Sequence, residues 1–112
     1  MNTNFEIIER HINALKAGAL ADLPIADDVK FENPITGAQS GAENFRAFLS
    51  GFLSAIKDAQ VLRSVCEDDH VVAHWEVESV FGVIQILELF RVRDGLIVES
   101  NAFFDPRPVL GG

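Results

Sequence analysis

One cysteine, Cys66, and nine basic residues are all that the sequence has of two residue classes on which whole groups of functions depend. A single thiol closes no intrachain disulfide and builds no cysteine-rich metal site. Flanked by Val65 in an apparent strand, Cys66 reads as a reduced core thiol. The Lys and Arg residues are scattered and outnumbered by 17 Asp and Glu, leaving a net charge of −8. Phosphate backbones and anionic membranes call for clustered cations, so nucleic-acid and membrane partners are argued against. No apolar run approaches the roughly 20 residues of a membrane span. Met1-Asn2-Thr3-Asn4 lacks the basic-then-apolar pattern of a signal peptide, and a soluble cytoplasmic protein is expected. A glycine-rich phosphate cradle and a serine nucleophile elbow are also missing.

What is present is an ordinary globular composition, 48% hydrophobic and 23% charged. At this length residues 1–112 form one domain around a single core. Thr3-Asn4-Phe5-Glu6 has capping-box spacing, and Phe5, Ile8, Ile12, Leu15 and Ala19 follow at helical intervals. That helix is predicted to end near Gly18, with a short helical segment before Pro24. Val29-Lys30-Phe31-Glu32-Asn33 alternates as a strand, closed by Pro34 and a loop through Gly37. Ser40-Gly41-Ala42-Glu43 is a second capping box, followed by a helical stripe of Phe45, Phe48, Leu49, Phe52 and Ile56. From residue 59 onward the pattern becomes strands: 60–67, 70–80, 83–93 and 96–104. Asp68-Asp69 and Asp94-Gly95 supply the tight turns. Helices followed by a meander predict an α+β domain with the helices on one sheet face.

One carboxylate breaks the pattern. In strand register Ile84, Ile86, Glu88, Phe90 and Val92 share a face that is apolar except for Glu88. An unpartnered carboxylate there would cost several kcal/mol, so Glu88 must be paired, hydrated or protonated. His11 sits on the apolar side of the first helix, and Asn33 shares a strand face with Val29 and Phe31. Each also has a structural reading. His11 can be a core histidine bonded to a backbone carbonyl, Asn33 can shape the turn before Pro34, and Glu88 can pair with an arginine. His70, His74 and Glu76 share one strand face, opposite Val71, Ala73, Trp75, Val77 and Phe81. They read as exposed or interfacial, so no metal site is expected. Asp105 reads as a solvated strand end.

Several strings resemble the nuclear transport factor 2-like superfamily, most of all its ketosteroid isomerase and SnoaL-type polyketide cyclase branches. Residues 26–34, Ala-Asp-Asp-Val-Lys-Phe-Glu-Asn-Pro, resemble the first strand; Gly41 to Leu49 resembles the third helix; Leu87 to Glu99 resembles the last hairpin. The resemblance implies a cone-shaped α+β fold, a curved antiparallel sheet wrapped around N-terminal helices, with one internal pocket and frequent dimerisation. His11, Asn33 and Glu88 fall where the isomerases carry a tyrosine, a proton-shuttling aspartate and a second acid. The departures matter. The base position is an amide, which does not titrate, and the chain has no tyrosine at all. Steroid isomerisation by that mechanism is therefore not expected, and the Arg and paired Asp of epoxide-hydrolase relatives are not recognisable.

The resulting expectation is a homodimeric cone-fold protein, without cofactor or metal, that binds a small apolar molecule. Phe31, Phe48, Phe52, Trp75, Ile86, Phe90, Ala102 and Phe104 would line the pocket, with His11, Asn33, Glu88 and Ser100 as polar points. If catalytic, it would transfer protons as an isomerase, cyclase or hydratase through His11, Asn33 and Glu88. A ligand carrier or sensor, or an interaction module using the exposed sheet, is the alternative. Dimerisation is expected because Val83, Leu87, Leu89, Ile97 and Phe103 would form a second apolar face.

Overall fold

The computed structural model describes residues 3–110. Helix α1 (Thr3–Lys16) forms where Ile8, Ile12 and Leu15 recur on one side, and all three are buried. Its end is set by Gly18, whose φ of +73° suits glycine. The Gly18 amide donates to the Leu15 carbonyl (3.1 Å) and the Ala19 amide to the Ala14 carbonyl (2.8 Å), a Schellman cap. The first capping box rests on Thr3, whose side chain, like residues 1–2 and 111–112, lies outside the described residues. A single 3-10 turn, Leu20–Asp22, follows as the sequence indicated.

Strand β1 (Ile25–Asn33) begins four residues before the alternation at Val29 becomes visible. Exposed Asp27 and Asp28 interrupt the period there, and the pairing register of β1 shifts between Ile25 and Lys30. The loop expected through Gly37 instead contains β2 (Gly37–Ser40), antiparallel to β1 and exposed throughout. A four-residue edge strand without a buried side has no hydrophobic signature to read. Ser40 is paired with Lys30 in that strand, so it does not cap α2 (Ala42–Ser50) as its spacing suggested. The cap position is Gly41, at φ +103°, without a side-chain hydrogen bond. The apolar stripe then outruns its helix: Phe52 lies beyond α2, and Ile56 opens β3 (Ile56–Glu67).

Strands β3, β4 (His70–Ser79), β5 (Gly82–Arg93) and β6 (Leu96–Phe103) form the expected meander. Asp94 and Gly95 both have positive φ, the geometry that makes Asp-Gly a hairpin signal. The six-stranded curved sheet has the order β2-β1-β6-β5-β4-β3. Four of its five pairings are antiparallel as expected; β1 and β6 are parallel, so the sheet is mixed. The long excursion through α2 and the meander lets the last strand return beside the first in the same direction, which a tight turn could not do. Helix α1 packs across β3 and β4 and α2 across β1, and on the opposite sheet face Val83, Leu87, Leu89 and Phe103 are exposed among the described residues.

One bulge changes the reading of β6. Arg91 pairs with Glu99 but Val92 with Ile97, so Val98 is an extra residue. The bulge flips the side-chain parity and buries both Ile97 and Ser100. Ile97 therefore belongs to the core and not to the outer apolar face. A short helix, α3 (Arg107–Leu110), follows Asp105 and was not anticipated. Exposed Asp105 accepts hydrogen bonds from the Arg107 guanidinium, which holds its carboxyl down at about 2. Cys66 is a free, half-buried thiol packed against the core. Among the described residues, no helix is long and apolar enough to cross a membrane.

Candidate functional site

Alternation along β5 turns Ile86, Glu88, Phe90 and Val92 to the buried side. Cross-strand pairing sets Glu88 between two alanines, Ala73 of β4 and Ala102 of β6. Small neighbours leave room above the carboxyl, which is 4% exposed. Two side chains hold it in place. The Trp75 indole N–H donates to Oε1 (3.0 Å), and the Ser100 hydroxyl bonds Oε2. Burial pushes the Glu88 carboxyl up to about 7, against the opposing pull of those hydrogen bonds from Ser100 and Trp75. The arginine-paired alternative does not describe Glu88. Arg91 bonds Asp69 (2.9 Å) and approaches Glu99, all away from the buried face.

His11 is 2% exposed, stacked on Phe45 (5.9 Å between centroids) with Phe90 edge-on at 5.7 Å. Burial holds its imidazole down at about 4, and Nδ1 has no hydrogen-bond partner. The ring is neutral near pH 7. Asn33 is also buried, but its Oδ1 accepts from the amides of Ile35 and Thr36, both at 2.9 Å. It thereby shapes the turn between β1 and β2. The pair Glu32–Asn101 brings Asn33 to the level of Ala102, the β6 partner of Glu88, so that β6 lies between Asn33 and Glu88.

All three polar residues line one cavity of about 120 Å³. Phe31, Phe48, Phe52, Trp75, Ile86, Ser100, Ala102 and Phe104 also line it. Phe90 does not. It is 1% exposed within the core and touches the edge of His11, so it supports the wall instead of forming it. Sequence reasoning missed Ser79, Ile84, Ile35 and Val109, which are among the other lining residues. Ile84 shared the recognised face of Glu88 and was the one signal available. Ile35 and Val109 come from a turn and from α3, neither of which has a periodic pattern.

The other histidines serve the outer face. His74 Nε2 lies 2.7 Å from Gln85 Oε1, and Glu76 accepts from Gln60 and Gln85, both at 2.8 Å. Exposed His70 contacts Asp69. No group of residues able to hold a metal ion occurs among the described residues.

The model of the SnoaL-like domain matches residues 8–100. The chain belongs to the SnoaL-like family. No curated protein matches it. Among solved structures, this SnoaL-like chain is similar to a nuclear transport factor 2-like protein of unknown function from Cytophaga hutchinsonii. The two are 19% identical with a TM-score of 0.83, covering 98% of this chain and 96% of that one. A candidate ketosteroid isomerase from Kribbella flavida is 16% identical, TM-score 0.82, covering 92% and 78%. An LEH-like epoxide hydrolase from M. tuberculosis is 17% identical, TM-score 0.77, covering 97% and 87%. At these identities the likenesses show the nuclear transport factor 2-like fold of the SnoaL-like chain.

Proposed function

We propose that this SnoaL-like protein binds a compact apolar molecule in its cavity and moves a proton on it through Glu88. The observation that carries this reading is a buried carboxyl in an aromatic wall, gripped by Trp75 and Ser100 and raised to about 7. A group titrating near the working pH both accepts and returns a proton, which is what an isomerase, cyclase or hydratase step requires. Asn33 and His11 then have orienting roles: Asn33 is an amide, and the neutral imidazole is a hydrogen-bonding group. The epoxide-hydrolase chemistry named for one structural relative has less support, because among the described residues no arginine lines the cavity.

Deuterium exchange into 2-cyclohexenone, followed by NMR, tests the proposal. The protein is expected to accelerate exchange with a pH midpoint near 7, and Glu88→Gln to reduce the acceleration at least 100-fold. Binding without exchange would favour the carrier reading, which the engagement of Asn33 Oδ1 in its turn supports. Isomerisation of a 5-ene-3-ketosteroid is expected to be negligible in the natural sequence.

A second copy of the chain is the proposed cover for the outer sheet face. Leu87 and Phe103 are direct cross-strand partners there and are 46% and 51% exposed, beside exposed Leu89 and Val83. An apolar patch of this kind on a sheet marks an interaction surface. Sedimentation at micromolar concentration is expected to show a dimer, and Leu87→Glu a monomer. A natural chain that sediments as a monomer would defeat the dimer while leaving the cavity reading intact.

A further inference from the structure

We propose that the cavity's ligand is an uncharged single-ring molecule with one hydroxyl or carbonyl oxygen, the ring held among Phe31, Phe48 and Phe52 and the oxygen on Glu88. The inference deepens the proposed function and rests on it.

Size favours a small ligand. Pockets for drug-sized molecules run to roughly 300–1,000 Å³, whereas a cavity of roughly 150 Å³ holds benzene. At about 120 Å³, this cavity matches one ring. Shape agrees. Phe31 and Phe48 are stacked at 6.5 Å and Phe48 meets Phe52 edge-on at 5.2 Å, so the wall offers aromatic faces and edges to a flat guest. The space over the sheet opens at Glu88, because both of its cross-strand neighbours are alanine.

Charge narrows the class further. The lining contains two acidic residues, Glu32 and Glu88, and among the described residues no lysine or arginine lines the cavity. A ligand carboxylate or phosphate would enter without a counter-charge and beside like charges, which burial penalises heavily. Most of the other polar capacity is already used. Ser79 donates to the Gly82 carbonyl and accepts from the Phe81 amide, and Asn33 Oδ1 serves its turn. Two polar fixing points remain, the unpartnered Nδ1 of His11 and, beside its bonds to Trp75 and Ser100, the carboxyl of Glu88. In its acid form it donates to a carbonyl or hydroxyl oxygen, and as a carboxylate it accepts from a hydroxyl. Aromatic faces also attract cations, so an amine of the same size is the sharpest competitor.

The test uses the intact protein and three molecules of one shape: benzyl alcohol, benzoate and benzylamine, with a 3-ketosteroid as the size control. Trp75 is the only tryptophan and bonds Glu88, so its emission reports occupancy. Benzyl alcohol is expected to change that emission saturably, with an affinity at least tenfold above benzoate and benzylamine. The steroid is expected to give no response. Equal or tighter binding of benzoate or the steroid overturns the ligand class while the cavity reading survives. Tightest binding of benzylamine, lost in Glu88→Gln, overturns it in favour of an amine. Silence from all four overturns the proposal and the cavity reading together.

Discussion

Glu88→Gln is expected to stabilise the protein by about 3 kcal/mol at pH 8 and to leave it nearly unchanged at pH 4. The native carboxyl titrates at about 7 against 4.5 for the free group. Between those values the folded state binds the proton that the unfolded state has released. Stability from this group is therefore fully present below 4.5 and is lost as pH rises through 7. A difference of about 2.5 units corresponds to about 3 kcal/mol. Glutamine mimics the acid form, with an oxygen to accept from Trp75 and an N–H₂ to donate to Ser100, and it cannot ionise.

His11 has the opposite sign. Its folded value of about 4 lies below the usual 6.5, so its contribution is lost as pH falls through that window. The two slopes nearly cancel in the natural protein between about 4.5 and 6.5. Glu88→Gln removes one of them, so urea midpoints for the variant should climb steeply from pH 4 to 6.5 where the natural chain is almost flat. Equal destabilisation at pH 5 and pH 8 would mean that the carboxyl contributes packing or pairing alone, and the proton-transfer reading would fall with it.

Phe90→Ala is expected to lower stability by about 3–5 kcal/mol, the usual loss when a buried aromatic is truncated. Phe90 is 1% exposed, pairs across β5–β6 with Ser100 and across β4–β5 with Val71, and packs edge-on to His11. Its removal leaves a void beneath the imidazole that the surrounding strands cannot close, since the sheet hydrogen bonds fix their spacing. Domains of this size have only about 5–15 kcal/mol in total. The denaturant midpoint should drop sharply at unchanged slope. Leu87→Ala, one strand face away and 46% exposed, should cost less than about 1 kcal/mol in a monomer. A loss as small for Phe90 would show that it is a cavity residue after all.

Local pattern alone determined much of this protein. Helical spacing located α1, period-two alternation located β4 and β5, and Asp94-Gly95 located the last turn, because each is a rule about neighbours in sequence. The same alternation singled out Glu88, since an acid among Ile84, Ile86 and Phe90 violates the pattern whatever surrounds it. Tertiary structure decided what neighbours in sequence cannot. The β2 edge strand exists only because β1 offers free backbone groups to pair with, and the bulge at Val98 reverses which side of β6 Ile97 occupies. The parallel return of β6 beside β1 brings Ser100 to Phe31 and, through Glu88, completes the polar end of the cavity. Whether Glu88 met an arginine or a tryptophan was undetermined until the strands were in register. Alternation within β5 already turns Arg91 away; the pairing of β4 with β5 turns Trp75 toward Glu88, and that makes Glu88 a buried, titratable group where an arginine would have made a salt bridge.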